Sequence, residues 1–140
     1  MRLSLNGVVH DAPTGRLPST EWRMHAGILH RRDDVEAIVH AHPPWATALS
    51  CLRRDIPAFH YMVAVAGGKT IRCADYATFG TGELAEAAVE ALGDRRACLL
   101  ANHGIVACGA SVEAALDLAV EVEALAAQYV RAVAVGEPIL

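Results

Sequence analysis

Apolar positions along the chain change their spacing several times, and each change predicts an element. Residues 2–9, RLSLNGVV, alternate apolar and polar residues around Asn6-Gly7, the pairing of signals expected of a β-hairpin. Pro18-Ser19-Thr20-Glu21 then opens a helix, with Ser and Thr as capping types and Glu in the first turn. Trp22, Met24 or His25, Ile28 and Leu29 carry helical spacing to about Arg31. EAIVHAH (36–42) reads as a short strand with Ile38, His40 and His42 on one side. Pro43-Pro44 ends that strand and seats a helix over Trp45 to Leu52.

The second half follows the same alternation. Ile56 to Phe59 is a short extended piece, the apolar run His60 to Val65 ends at Gly67-Gly68, and Lys69 to Cys73 predicts a strand. A turn over Thr78 to Gly82 leads into an Ala-rich amphipathic helix, Glu83 to Leu92, stopped by Gly93. ACLLA (97–101) is a central strand, Asn102-His103-Gly104 a tight turn, and Ile105 to Cys108 the strand that resumes after it. Ser111 caps a last helix that runs to about Val135, roughly 36 Å at 1.5 Å per residue. Its apolar face, Ala115, Leu118, Val122, Leu125 and Tyr129, is wide enough for a core or a subunit contact. Strands alternating with helices predict one α/β domain over residues 1–140.

Composition narrows the function classes. A net charge of -4, with Lys and Arg never clustered beyond a dipeptide, leaves no basic stripe for nucleic acid. No apolar run approaches the roughly 20 residues of a membrane span. The four cysteines (51, 73, 98, 108) contain no C-x-x-C pair and no signal peptide precedes them. They read as reduced, mostly buried thiols of a cytoplasmic protein. VAVAGGKT (63–70) ends like a phosphate loop, but the G-x-x-x-x-G-K-[ST] pattern needs Gly where Val63 stands, so a nucleotide site is rejected.

Histidine is over-supplied, with seven in 140 residues, and His is the commonest metal ligand. His40 and His42 are two apart on a strand, so their imidazoles project to one face. Zinc takes His nitrogens in a tetrahedral array, and His103, flanked by Asn102 and Gly104 in a tight turn, is the best third donor. Gly104 is expected to allow the tight backbone there. Three imidazoles leave one position open, the arrangement of a catalytic rather than a structural site. The competing reading is that each His is a hydrogen-bonded residue without chemistry. Glu21 likewise reads as compensation of a helix dipole or as a general base beside a metal, and Tyr61 as a core or interface ring or a proton-transfer group.

These segments together resemble the class II aldolase/adducin family. PSTEWRMH (18–25), VHAHPPWATALS (39–50), IPAFHYMVAVAGG (56–68), YATFGTGELAE (76–86) and LLANHGIVACG (99–109) match in order and spacing. The resemblance implies a three-layer α/β/α fold with a central, largely antiparallel sheet, and homotetramers of C4 symmetry. It implies zinc held by His40, His42 and His103. Glu21 would be the acid/base residue beside the metal and a ligand of it in the empty site. Tyr61 would act in the site of a neighbouring subunit, and Ser19 and Thr20 at a helix N-terminus would contact substrate phosphate. The reaction it implies is aldol cleavage or formation of a carbon–carbon bond in a sugar phosphate.

Family members carry a front portion with a glycine-rich, Asn-containing segment and a Thr-Gly loop that hold phosphate, and a C-terminal tail. Neither is found in these 140 residues, which therefore read either as part of a longer protein or as a short family form with an altered substrate. Two other functions stay open on the same scaffold: an epimerase or dehydratase using the same three His, and a non-catalytic adducin-like assembly domain, in which the ligand histidines are typically lost.

Overall fold

The computed structural model describes residues 1–139. A two-stranded ribbon, β1 (Arg2–Leu3) and β2 (Val9–Asp11), pairs antiparallel ahead of the main body. Its loop is longer than a two-residue turn, because Ser4 closes it by bonding to Val8 through both main chain and side chain. Gly7, at φ 88°, lies flat on the Trp22 ring, so the ribbon rests on the start of helix α1 (Trp22–Arg31).

The main sheet has four strands, β3 (Ala37–Ala41), β4 (Cys73–Ala74), β5 (Ala97–Leu100) and β6 (Gly104–Gly109), in the order β3-β6-β5-β4. Both pairings of β6 are antiparallel and β4 runs parallel to β5. The sheet is thus largely antiparallel, as the resemblance implied. Lys69 to Cys73 yields less strand than its sequence suggested. Ile71 makes a single bridge to Ile56, and only Cys73 and Ala74 join the sheet. The apolar run after His60 forms a 3-10 helix, Tyr61–Ala66, closed by Gly67 in the left-handed region at φ 91°.

Three layers follow from side-chain alternation. Ala97, Leu99, Ile105 and Ala107 point to one sheet face, where Leu118, Val122 and Leu125 of α4 (Val112–Val135) and Leu49 of α2 (Pro44–Cys51) cover them. Cys98, Leu100, Val106 and Cys108 point to the other, against Met24 and Ile28 of α1 and Leu84 and Leu92 of α3 (Gly82–Leu92). Helices on both faces explain why β5 and β6 read as unbroken apolar runs rather than alternating ones. Ile38 packs with the α1/α3 layer and Val39 and Ala41 with the α4 layer. His40, two residues beyond Ile38, therefore faces the α1 side.

Helix ends match their caps. Ser111 Oγ accepts the Ala114 N–H (3.2 Å) and Thr81 Oγ1 accepts the Leu84 N–H (3.3 Å). The exception is α1. Ser19 and Thr20 do not open it. Ser19 Oγ accepts the Glu21 N–H in a turn before the helix, and Glu21 occupies the capping position without a side-chain cap bond. All four cysteines are free, two of them buried. Among the described residues, no helix is long and apolar enough to cross a membrane.

Candidate metal centre

Three backbone segments converge at one end of the sheet. The end of β3 supplies His40 and, just past the strand, His42; the β5–β6 turn supplies His103; the start of α1 supplies Glu21. Antiparallel pairing sets Ala41 opposite Ile105, which brings the His103 turn alongside the two strand histidines although some 60 residues separate them.

The three imidazoles form a nearly equilateral triangle, with ring centroids 4.9, 4.8 and 4.9 Å apart. One nitrogen from each lies within 4.8 Å of the others, and His40 Nε2 is 3.1 Å from His42 Nε2. Nitrogens of a tetrahedral zinc site stand about 3.4 Å apart, so the donor set fits. His40 Nδ1 donates to the Ile105 carbonyl at 2.8 Å, which fixes the tautomer and turns a bare Nε2 toward the cluster. Burial lowers the pKa of His40 and of His103, with neighbouring imidazoles adding to the effect. Both rings are thereby favoured in the neutral form a metal needs.

Glu21 carries the test of whether a cation belongs here. Its carboxylate is buried, 9% exposed, and neither oxygen has a hydrogen-bond partner. Oε2 lies 4.0 Å from both His40 Nε2 and His103 Nε2. A carboxylate taken from water without a partner is costly, and neutral imidazoles do not offset it; a divalent ion among the three rings does. The dipole role expected for this residue is not what its side chain does, because the chain enters the helix at Trp22 and the carboxylate turns inward.

The cluster opens into a cleft of about 580 Å³ whose walls include Ser19, Thr20, Tyr76, Phe79 and Asn102. Ser19 and Thr20 thus border the same space as the histidines, and Gly80 presses the Phe79 loop onto the Thr20 carbonyl. Sequence reading missed Tyr76 and Phe79: it took Phe79 only as part of a turn and gave Tyr76 no role. Both rings are more than half exposed beside the cleft, and aromatic residues in a Gly-rich turn were the available signal. Tyr61 is not brought to the cluster: it is 80% exposed on the 3-10 helix and stacks on His60. His25 is half-buried with its pKa lowered, first by burial and then by His40.

A three-imidazole cradle with an adjoining buried carboxylate, on a mixed sheet covered by helices on both faces, defines a metal-site α/β/α domain. The family model described as "Class II Aldolase and Adducin N-terminal domain" matches residues 1–130, and the chain belongs to that family. It is 58% identical over 123 residues to 5-methylthioribulose-1-phosphate/5-deoxyribulose-1-phosphate aldolase of Rhodospirillum rubrum, covering 88% of this chain and 56% of that protein. It is 52% identical over 125 residues to L-fuculose phosphate aldolase of Escherichia coli, covering 89% and 58%. A solved L-fuculose 1-phosphate aldolase superposes with a TM-score of 0.94 at 49% identity, covering 99% of this chain and 64% of that one. The chain therefore spans less than two-thirds of the length of these relatives.

Proposed function

We propose that the chain is the metal-binding portion of a zinc-dependent class II aldolase acting on a sugar phosphate. His40, His42 and His103 would hold the ion. Bound zinc supplies Lewis-acid polarisation of a carbonyl oxygen. The observation that carries the reading is the buried, unpartnered carboxylate of Glu21, 4.0 Å from two of the three ligand nitrogens. A scaffold domain has no use for such a group, whereas a lyase needs a base at the face of a bound carbonyl compound.

Glu21 moves the proton: Oε2 takes it from, or returns it to, the carbon next to the carbonyl, from a position where water is largely excluded. Ser19 and Thr20, at the cleft's edge beside the first turn of α1, orient the anionic end of the substrate. Tyr76 and Phe79, which also line the cleft, give apolar surface for the remainder. Tyr61, exposed and away from the cleft, fits the family's use of this position in a neighbouring subunit of a C4 tetramer. The names of the relatives point to ketose 1-phosphates as the substrate class.

Metal content by mass spectrometry and a cleavage assay on ketose 1-phosphates test this. One zinc per chain and release of dihydroxyacetone phosphate are expected. Glu21→Gln should keep the zinc and lose about 100-fold or more in kcat. Stoichiometric zinc without cleavage of any ketose 1-phosphate or phosphate-free ketose counts against the aldolase. Unchanged kcat in Glu21→Gln counts against the base.

A further inference from the structure

Among the described residues, two that are not glycine have left-handed backbone: Arg53 at φ 51° and Asn102 at φ 57°. They are 49 positions apart, yet they touch: Arg53 Nε donates to Asn102 Oδ1 at 3.1 Å. Uncommon backbone held in place by its surroundings gathers at functional sites, and Asn102 immediately precedes the third imidazole of the cradle.

The contact is one strand of a larger tie between the end of α2 and the β5–β6 turn. Asn102 N–H donates to the Ser50 carbonyl at 3.0 Å, and Asn102 Nδ2 reaches the Cys51 carbonyl at 3.5 Å. His103 N–H is shared between the Leu100 carbonyl at 3.0 Å and Ser50 Oγ at 3.3 Å. Ser50 is fully buried, and its hydroxyl donates to the Thr47 carbonyl at 2.8 Å. The other end of α2 is fixed as well: the Glu123 carboxylate on α4 accepts the Trp45 and Ala46 N–H groups at 2.9 and 2.8 Å. The guanidinium of Arg53 also lies 5.7 Å from the centre of the Tyr76 ring, on the cleft wall.

We infer that Ser50, Arg53 and Asn102 are positioning residues: they clamp the β5–β6 turn to α2 so that His103 is held in the metal cradle, and thereby set its affinity for zinc. The inference rests on the metal reading above. His40 and His42 need no such device, because they share one strand segment and His40 is already bonded to the Ile105 carbonyl. His103 has no side-chain bond of its own beyond the cluster, so its ring goes where the turn goes. Groups that orient a ligand typically change metal affinity by 10- to 100-fold when removed.

The side-chain tie and the backbone shape can be separated at one position. Glycine adopts positive φ freely, so Asn102→Gly keeps the turn and deletes both side-chain bonds. Asn102→Asp keeps an acceptor for Arg53 and tolerates the left-handed region. Zinc affinity of the full chain is read by competition with a chromogenic chelator, with circular dichroism of the metal-free proteins as the check on folding. Arg53→Ala and Asn102→Gly should each weaken zinc about 10-fold or more, the double variant no further than Asn102→Gly alone, since that variant already breaks the link to Arg53. Asn102→Asp should stay within about threefold of the parent, well short of that loss. Parent affinity in folded Arg53→Ala, or equal loss in the Asp and Gly variants, overturns the clamp alone. A parent chain that takes up no zinc overturns the metal reading and the clamp with it.

Discussion

Gly104 starts β6 at the point where β3 passes closest to the metal cradle. A methyl group there would collide with the Ala41 carbonyl oxygen and stand 2.7 Å from His42 Cδ2. The backbone oxygen cannot yield, so the strands must part or the His42 ring must turn. Gly104→Ala should therefore cost about 1–3 kcal/mol, as overpacking does, and weaken zinc by about tenfold or more through His42. Urea denaturation and chelator competition check the two effects, and unchanged zinc affinity would show that the ring is not wedged. Gly104 was expected to allow a tight backbone, and it does so by permitting close approach; the positive φ in this turn falls on Asn102. The histidines were legible because strand alternation is local: two residues apart means one face. Glu21 was legible only as a candidate, since its lack of any partner exists only once α1 is packed beside the sheet.

At the scale of elements, helix starts marked by a local residue were readable, and partners drawn from afar were not. Ser111 and Thr81 announce their helices within three residues. Pro43-Pro44 marked the start of α2 to within one residue, but the partner of its first N–H groups, the Glu123 carboxylate 77 and 78 positions away, could not be read locally; nor could the fact that only Cys73 of the expected strand, with Ala74 beyond it, pairs with β5. Arg32 is another distant tie. Just past α1, it donates from Nη1 to the Gly93 and Arg95 carbonyls, both at 2.8 Å, and grips Asp34 through Nε and Nη2 at 2.7 and 2.8 Å. It thus closes α1, the end of α3 and the approach to β5 into one corner. Arg32→Ala leaves two carbonyls without their charged donor and should cost about 2 kcal/mol; Lys cannot replace a fork with four bonds. The Arg32 hydrogen bond, helped by its charge, holds the Asp34 carboxyl down to about 2. A depressed carboxyl contributes stability above its unfolded value of about 3.9 and loses it as pH falls through about 2. Asp34→Asn should flatten the stability profile between about pH 4 and pH 2, measured by urea midpoints. A profile unchanged from the parent's in that window would mean the pair is dissolved in solution.

Taken whole, the molecule gathers its cradle from positions 21, 40, 42 and 103, on three segments that meet only when the sheet and both helix layers are assembled. An unfolded chain offers the same imidazoles but cannot hold them within 4.8 Å of one another, so on the proposed reading zinc binding would be coupled to folding. The coupling has a definite size: free ion at 100 times Kd adds about 2.7 kcal/mol to folding stability, provided the unfolded chain binds weakly. For a chain of this length that corresponds to roughly 10 °C in Tm. Zinc should therefore raise Tm and a chelator reverse it, and His103→Ala should melt at one temperature with or without the ion. No protein group bonds the buried Glu21 carboxylate, so Glu21→Gln should lift the Tm measured without metal while reducing the rise that zinc gives. That opposite movement separates a cradle built around a cation from a chance meeting of histidines, in which zinc would leave Tm unmoved and Glu21 would matter only as a packed side chain.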